Sequence, residues 1–165
     1  MVTNAILASI ARQEASLTFG KFTENTAWAL GSLIRHRGEA EGWPIVVDIR
    51  LFHRQLFFAA LPGSAPDNVE WARRKRNVVE RFHRSSYAVG REMVAKKDTL
   101  ANRYGLSLAE YADHGGGFPI TLQGTGVIGA IVVSGLPQRD DHMLIVDTLC
   151  EMLGQDPAEL RLADD

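Results

Sequence analysis

Residues 114 to 142 concentrate the side chains from which a site can be assembled. His114 is followed by three glycines, Gly115 to Gly117, whose bare backbone leaves N–H groups free to face a ligand. Farther on, Ser134 and Gly135 close an apolar run, and Asp140, Asp141 and His142 follow at the expected start of a helix. If the glycine turn folds against the end of that run, a ligand pocket is expected from His83, His114, Gly115, Gly116, Ser134 and Asp141, with His142 at its edge. A plainer account is available too: carboxylates in a first helical turn are stabilised by the helix dipole, and the two histidines can simply bond neighbouring backbone.

Several chemistries can be weighed on these residues. His142 beside Asp141, with His114 from the glycine turn, offers ligand types suited to a divalent metal such as zinc, although the spacing follows no established zinc pattern. Ser85, Ser86 and Ser134 lack the G-x-S-x-G elbow of a hydrolase nucleophile. Gly126, Gly129 and Gly135 are spread along a strand instead of opening a helix, so they form no dinucleotide fingerprint. Trp71, Phe82 and Tyr87 interleave poorly with the basic residues around them, which argues against nucleic acid. No complete catalytic set emerges, so whether the protein is an enzyme stays open. Cys150, between Leu149 and Met152, reads as a small buried hydrophobe.

Periodicity supplies the elements that must hold these residues. Ile6, Ile10 and Leu17 predict a helix over residues 4–17. Thr23 can cap a second, with Ala27, Leu30, Gly31 and Ile34 as its stripe and Gly42 as its stop. Residues 44–50 and 55–61 alternate with period two and predict a hairpin turning at His53 and Arg54. Asp67 and Glu70 have capping-box spacing, so one long helix is expected from there through Met93. Val78, Val79, Phe82, Val89 and Met93 form its apolar face, and Arg73, Arg74, Lys75, Arg76, Arg81, Arg84 and Arg91 mostly lie elsewhere around it. Gly90 within it implies close approach of another backbone. Ser107 and Glu110 repeat the capping-box spacing and predict a short helix ended by His114 and the glycines. Residues 118–123 and 126–135 read as two strands, the second central because both its faces are apolar. A closing helix carries Leu144, Ile145, Leu149, Met152 and Leu153, and Pro157 can start one last turn. Hairpins alternating with helices place residues 1–165 in one domain of the α/β class, α+β in type: an antiparallel sheet flanked by helices.

Charge is uneven. Residues 69–91 hold seven Lys/Arg against two Glu, and residues 138–165 hold eight acids against two Arg. Such asymmetry favours self-association through a basic and an acidic helix, or a small anionic ligand near the basic one. No apolar run is long enough to span a membrane, and the first residues lack a basic and apolar leader pattern, so the cytoplasm is the expected location.

Several motifs in order carry a family resemblance: Val46 to Arg50 as VVDIR, Pro66 to Val79 as PDN-x-x-W-x-RRKRNVV, Phe82 to Gly90 as FHRSSYAVG, Gly116 to Ile120 as GG-x-PI, and the strand from Gly126 to Gly135 with its acidic helix start. Over roughly residues 5–155 the chain resembles the haem-degrading-domain family of GlcG-like and HbpS-like proteins, within the branch of short cytoplasmic proteins left uncharacterised. The resemblance implies a profilin-like fold and a homo-oligomer, with haem binding and degradation belonging to some relatives. An axial ligand to haem would then come from His36, His53, His83, His114 or His142, none of which sits in a C-x-x-C-H motif, and Arg74, Lys75 and Arg76 could meet its propionates. The expected function is a small-ligand-binding domain of a homo-oligomeric cytoplasmic protein, haem being one possible ligand. A structural or protein-interaction oligomer without catalysis, or a metal-dependent enzyme on a small substrate, is the alternative.

Overall fold

The computed structural model describes residues 2–164. Its centre is a four-stranded sheet made of β1 (Val46–Leu51), β2 (Arg54–Ala60), β3 (Gly117–Leu122) and β4 (Gly126–Ser134). All neighbours are antiparallel, in the order β2-β1-β4-β3. The two hairpins join where Val46 to Arg50 pair with Ser134 to Ala130. This puts the doubly apolar β4 inside the sheet, as its composition requires. Ile49 opposes Phe57 while Arg50 opposes Gln55, so Leu56 is the extra residue of a bulge in β2.

Among the described residues six helices accompany the sheet: α1 (Val2–Ser16), α2 (Glu24–Glu41), α3 (Pro66–Phe82), α4 (Ser86–Lys96), α5 (Leu100–Tyr104) and α6 (Gln138–Leu153). Period two divides β1 between two cores. Val47 and Ile49 join Ile131 and Val133 under α2 and α6, with Leu30, Ile34, Ile145 and Leu149 fully buried. Each such side chain contributes roughly 1.5–3 kcal/mol on leaving water. Val46 joins Ala130 and Val132 on the opposite face, under Ala72 and Val79 of α3. Helix α1 packs on α4, where Ile6 and Ile10 meet Tyr87 and Ala88.

Three sequence expectations are corrected. The long helix from Asp67 is two helices. His83 turns left-handed at φ 53° and closes α3 through its N–H to the Val79 carbonyl, and Ser85 then starts α4 by accepting the Ala88 N–H on its hydroxyl. The cap of α3 is also different, because Asn68, not Glu70, reaches back to accept the Ala65 N–H at 2.8 Å, with Pro66 as the first helical residue. The Ser107–Glu110 segment forms only a turn. Its backbone is held to α3 by the Asn77 amide on the Glu110 carbonyl and by the Ala112 N–H on the Arg74 carbonyl. A short helix forms earlier, at Leu100–Tyr104, capped by Thr99.

Candidate functional site

The corner at residues 114–117 is fastened from both sides. Ser86, at the start of α4, donates its hydroxyl to the His114 carbonyl and accepts the Gly117 N–H at 2.9 Å. From the sheet, the Val133 N–H donates to the Gly116 carbonyl at 2.8 Å. Gly116 has φ 123°, and a Cβ there would lie 2.3 Å from the Val133 carbonyl oxygen and 2.7 Å from Lys75 Nζ, so only glycine fits. The glycine turn therefore does lie against the end of β4.

Beside it opens a cavity of about 230 Å³ with a buried ion pair among its lining. Lys75 Nζ donates to Asp141 Oδ2 at 2.9 Å and to the Val133 carbonyl at 3.1 Å, with the side chains only 4% and 1% exposed. Asp141 also accepts the Leu136 N–H at 2.9 Å and the Gly135 N–H at 3.3 Å, which fixes both carboxylate oxygens. Burial lowers the Lys75 pKa against the opposing pull of Asp141, and burial raises that of Asp141 against the pull of Lys75. An ammonium has three donors, and two of Lys75's are committed to protein acceptors. The third has no protein acceptor among the described residues, and Lys75 lines the cavity.

Ser134 and Gly135 from β4 and its exit, Asn68 and Trp71 from α3, and His114 and Gln138 complete the walls. His114 is half exposed and sits 5.1 Å edge-on from Trp71, whose other neighbour is the Arg74 guanidinium at 4.3 Å from the ring centre. Burial pushes the His114 pKa down, Asp113 opposes this, and Lys75 and Arg74 add to it. Gln138 accepts the Gly115 N–H at 3.2 Å. A second cavity of about 260 Å³ shares His114 and Gln138 and continues toward Arg91, Met93 and the exposed Leu108.

Of the residues expected from sequence, His114, Ser134 and Asp141 line this cavity, and Gly115 and Gly116 form the adjoining corner. Two histidines stand elsewhere. His83 ends α3 and lies against Phe52, its ring centre 6.1 Å away, because its left-handed backbone ends the helix there. His142 is fully buried instead of lying at the pocket edge, one residue past Asp141 and so turned to another side of α6. Gln13 donates its amide to the Leu160 carbonyl at 2.7 Å, so its oxygen accepts from His142 Nε2, also at 2.7 Å. That fixes a neutral Nε2–H ring, whose pKa burial lowers to about 3. With His142 turned inward, the His114, Asp141 and His142 metal set does not assemble. No group of three or more His, Cys, Asp or Glu side chains suited to a metal ion occurs among the described residues.

Asn68, Trp71 and Gln138 are not among the site residues expected from sequence, and Lys75 is expected there only as a propionate partner on an exposed basic run. The basic run was assigned away from the apolar face, yet Lys75 falls three residues after Ala72 and four before Val79, inside the buried stripe of α3. That spacing was the available signal.

The chain is similar to several known proteins. Residues 22–149 match the family model described as "Haem degrading protein HbpS-like". A UPF0303 protein of Pseudomonas entomophila is 54% identical over 157 residues, covering 95% of this chain and 87% of the relative. A UPF0303 protein of Acidobacterium capsulatum is 51% identical over 156 residues, covering 94% of each. Among solved structures, the Ybr137w protein superposes with a TM-score of 0.83 at 29% identity, over 90% of this chain and 87% of that one. HbpS gives 0.62 at 21% identity, over 84% and 94%. A PduOC:heme complex gives 0.67 at 16% identity, over 78% and 93%. These last two likenesses concern the fold.

Proposed function

The chain belongs to the HbpS-like haem-degrading protein family, and on that premise we propose that it is a small-ligand-binding protein acting as a homo-oligomer in the cytoplasm. Its ligand occupies the cavity beside Lys75 and Asp141. The observation that carries this reading is the uncommitted third donor of a lysine whose side chain is 4% exposed, in a hollow whose other walls offer His114, Ser134, Asn68 and Gln138. Polar groups converging on one hollow suit a compact ligand with one or two oxygen functions, a small organic anion being the simplest. No helix among the described residues is long and apolar enough to cross a membrane.

Titration of ¹⁵N-labelled protein with glycolate, lactate, glyoxylate and pyruvate tests it. Amide shifts should cluster at Gly115, Gly116, Gly135, Leu136 and Gln138 and disappear in Lys75→Met. Shifts scattered over the surface would remove the cavity as a site.

Family membership and the haem-bound structural neighbour favour a second, haem-related reading. The residues here do not fit a porphyrin inside this cavity. At about 230 Å³ it falls below the roughly 300–1,000 Å³ of drug-sized pockets, and a macrocycle needs more room still. His142 is sealed against Gln13, which leaves His114 as the one histidine on the cavity wall. Haemin titration should therefore give no Soret shift that depends on His114, and a band abolished by His114→Ala would favour haem over the small-ligand reading.

A further inference from the structure

A buried lysine beside a carboxylate can be a structural strut or a reactive amine, and its access to open space separates the two. Lys75 Nζ is held by Asp141 and the Val133 carbonyl, yet it borders a hollow and keeps one N–H uncommitted. Gly116 packs so closely that a Cβ there would approach Nζ to 2.7 Å, so a reactant reaches the amine from the hollow and not from the glycine side. Ser134 and His114 face the same hollow and can meet a developing hydroxyl. We propose that Lys75 captures a small carbonyl compound, an aldehyde or a 2-oxo acid, as an imine, with Asp141 carrying the protons. The proposal rests on the cavity being the ligand site and names the chemistry of its ligand.

The steps balance without any further reactant. Asp141 takes one proton from the Lys75 ammonium, and the freed nitrogen pair bonds to the carbonyl carbon while the C=O π pair moves to oxygen. That oxygen takes the proton back from Asp141 and becomes a hydroxyl. Asp141 then removes a second proton from nitrogen. The nitrogen pair forms C=N as the C–O bond breaks, and the hydroxide leaves with the Asp141 proton as water. The net change is one ammonium and one carbonyl giving one iminium and one water, with Asp141 again ionised beside the new cation. Burial lowers Lys75 and raises Asp141, so both move toward the neutral pair that the first step needs.

The chain contains its own controls, because its other lysines, Lys21, Lys96 and Lys97, are exposed. The whole protein is incubated with glyoxylate, pyruvate or acetaldehyde at neutral pH, reduced with cyanoborohydride, and mapped by peptide mass spectrometry. Lys75 should carry the adduct at about tenfold or more the occupancy of any other lysine, because burial lowers its pKa and leaves more of it as the nucleophilic free amine at neutral pH. Lys75→Arg, checked for folding by circular dichroism, should lose that adduct, and Asp141→Asn should slow its formation. The competition among wild-type lysines stands even if a variant misfolds. Adducts spread evenly over the four lysines, or none at Lys75, overturn the proposal. Carbonyl compounds that shift the cavity amides reversibly but leave Lys75 unmodified overturn the imine while sparing the ligand site. Neither shifts nor adducts would remove both.

Discussion

Lys75 and Asp141 are worth little as a pair and a great deal as partners. Removing two charges from water costs about what their attraction returns, whereas deleting one leaves the other buried and uncompensated, at a cost of about 3–5 kcal/mol. Lys75→Ala is therefore expected to lower unfolding free energy by that amount in urea, and Lys75→Met combined with Asp141→Asn should recover more than half of it, because Asn still accepts the Gly135 and Leu136 N–H groups. Additive losses would show that the two residues do not act together. His142 gives a second residue-scale prediction. Its folded pKa, about 3, lies below an unfolded value near 6.5, so between those limits the unfolded chain binds a proton that the folded chain refuses. Acidification through this window weakens the fold by up to about 1.4 kcal/mol per pH unit from this group. Glu14, Asp141 and Asp147 act the other way, since burial raises their pKa values and the folded chain protonates first. The comparison that isolates the histidine is with His142→Gln, which keeps an N–H for Gln13. The variant's stability deficit at pH 7 should shrink steadily toward pH 4, and parallel curves would refute the assignment. At this scale the sequence pointed by residue type to His114, Ser134 and Asp141, which line one cavity, but it did not tell which side of α6 takes His142, a question decided by where Gln13 of α1 arrives.

The strands were legible because alternation survives from sequence to structure without help from distant residues. Val47 and Ile49 share one face, Val46 and Asp48 the other. The break between α3 and α4 was not, since Phe82, Val89 and Met93 keep a helical phase across it and nothing local announces the left-handed turn at His83. What fixes the turn is remote: Glu14 of α1 accepts the Ser85 N–H at 2.7 Å. Likewise the Ser107–Glu110 cap signal lost to tertiary hydrogen bonds that draw the segment along α3. The break matters for the site because it aims α4 at the glycine corner. A Cβ on Gly90 would stand 1.9 Å from the Asp113 carbonyl oxygen, immediately before His114. Gly90→Ala must push the helix and corner apart, at an expected cost of about 1–3 kcal/mol. Amide exchange should then quicken at Gly117, whose N–H Ser86 holds. Unchanged exchange with lowered stability would mean that the corner does not depend on α4.

For the whole molecule, part of the uneven charge seen in the sequence is met inside one chain. Arg73 pairs with Glu70 and Glu110, Lys75 with Asp141, Arg76 with Asp48 and Glu80, and Arg37 with Glu151 of the acidic helix. With Arg73, Lys75 and Arg76 committed within the chain, a second surface for the proposed homo-oligomer can be set against the basic helix. The outer edge of β2 is the surface to test for it, because β2 ends the sheet with only β1 beside it. Arg54 is its one charged residue, which is slight protection for an open edge. Exposed apolar side chains flank it on both faces: Trp28, 67% exposed and edge-on to Phe57 on the α2 side, and Phe58 and Val69, 43% and 42% exposed around one hollow on the α3 side. An unpaired strand between two apolar rims is stable in water when a second copy covers it, and antiparallel pairing of two such edges about a two-fold axis would do so. Sedimentation velocity of Phe58→Glu should show a shift from the wild-type assembly toward monomer, since the new carboxylate would face its symmetry mate across the joint. Arg74→Glu, on the basic run but against Trp71 of its own helix, should leave the assembly as it is. The reverse pattern would return the contact to the basic helix, and a wild-type chain that sediments as a monomer would remove the oligomer altogether.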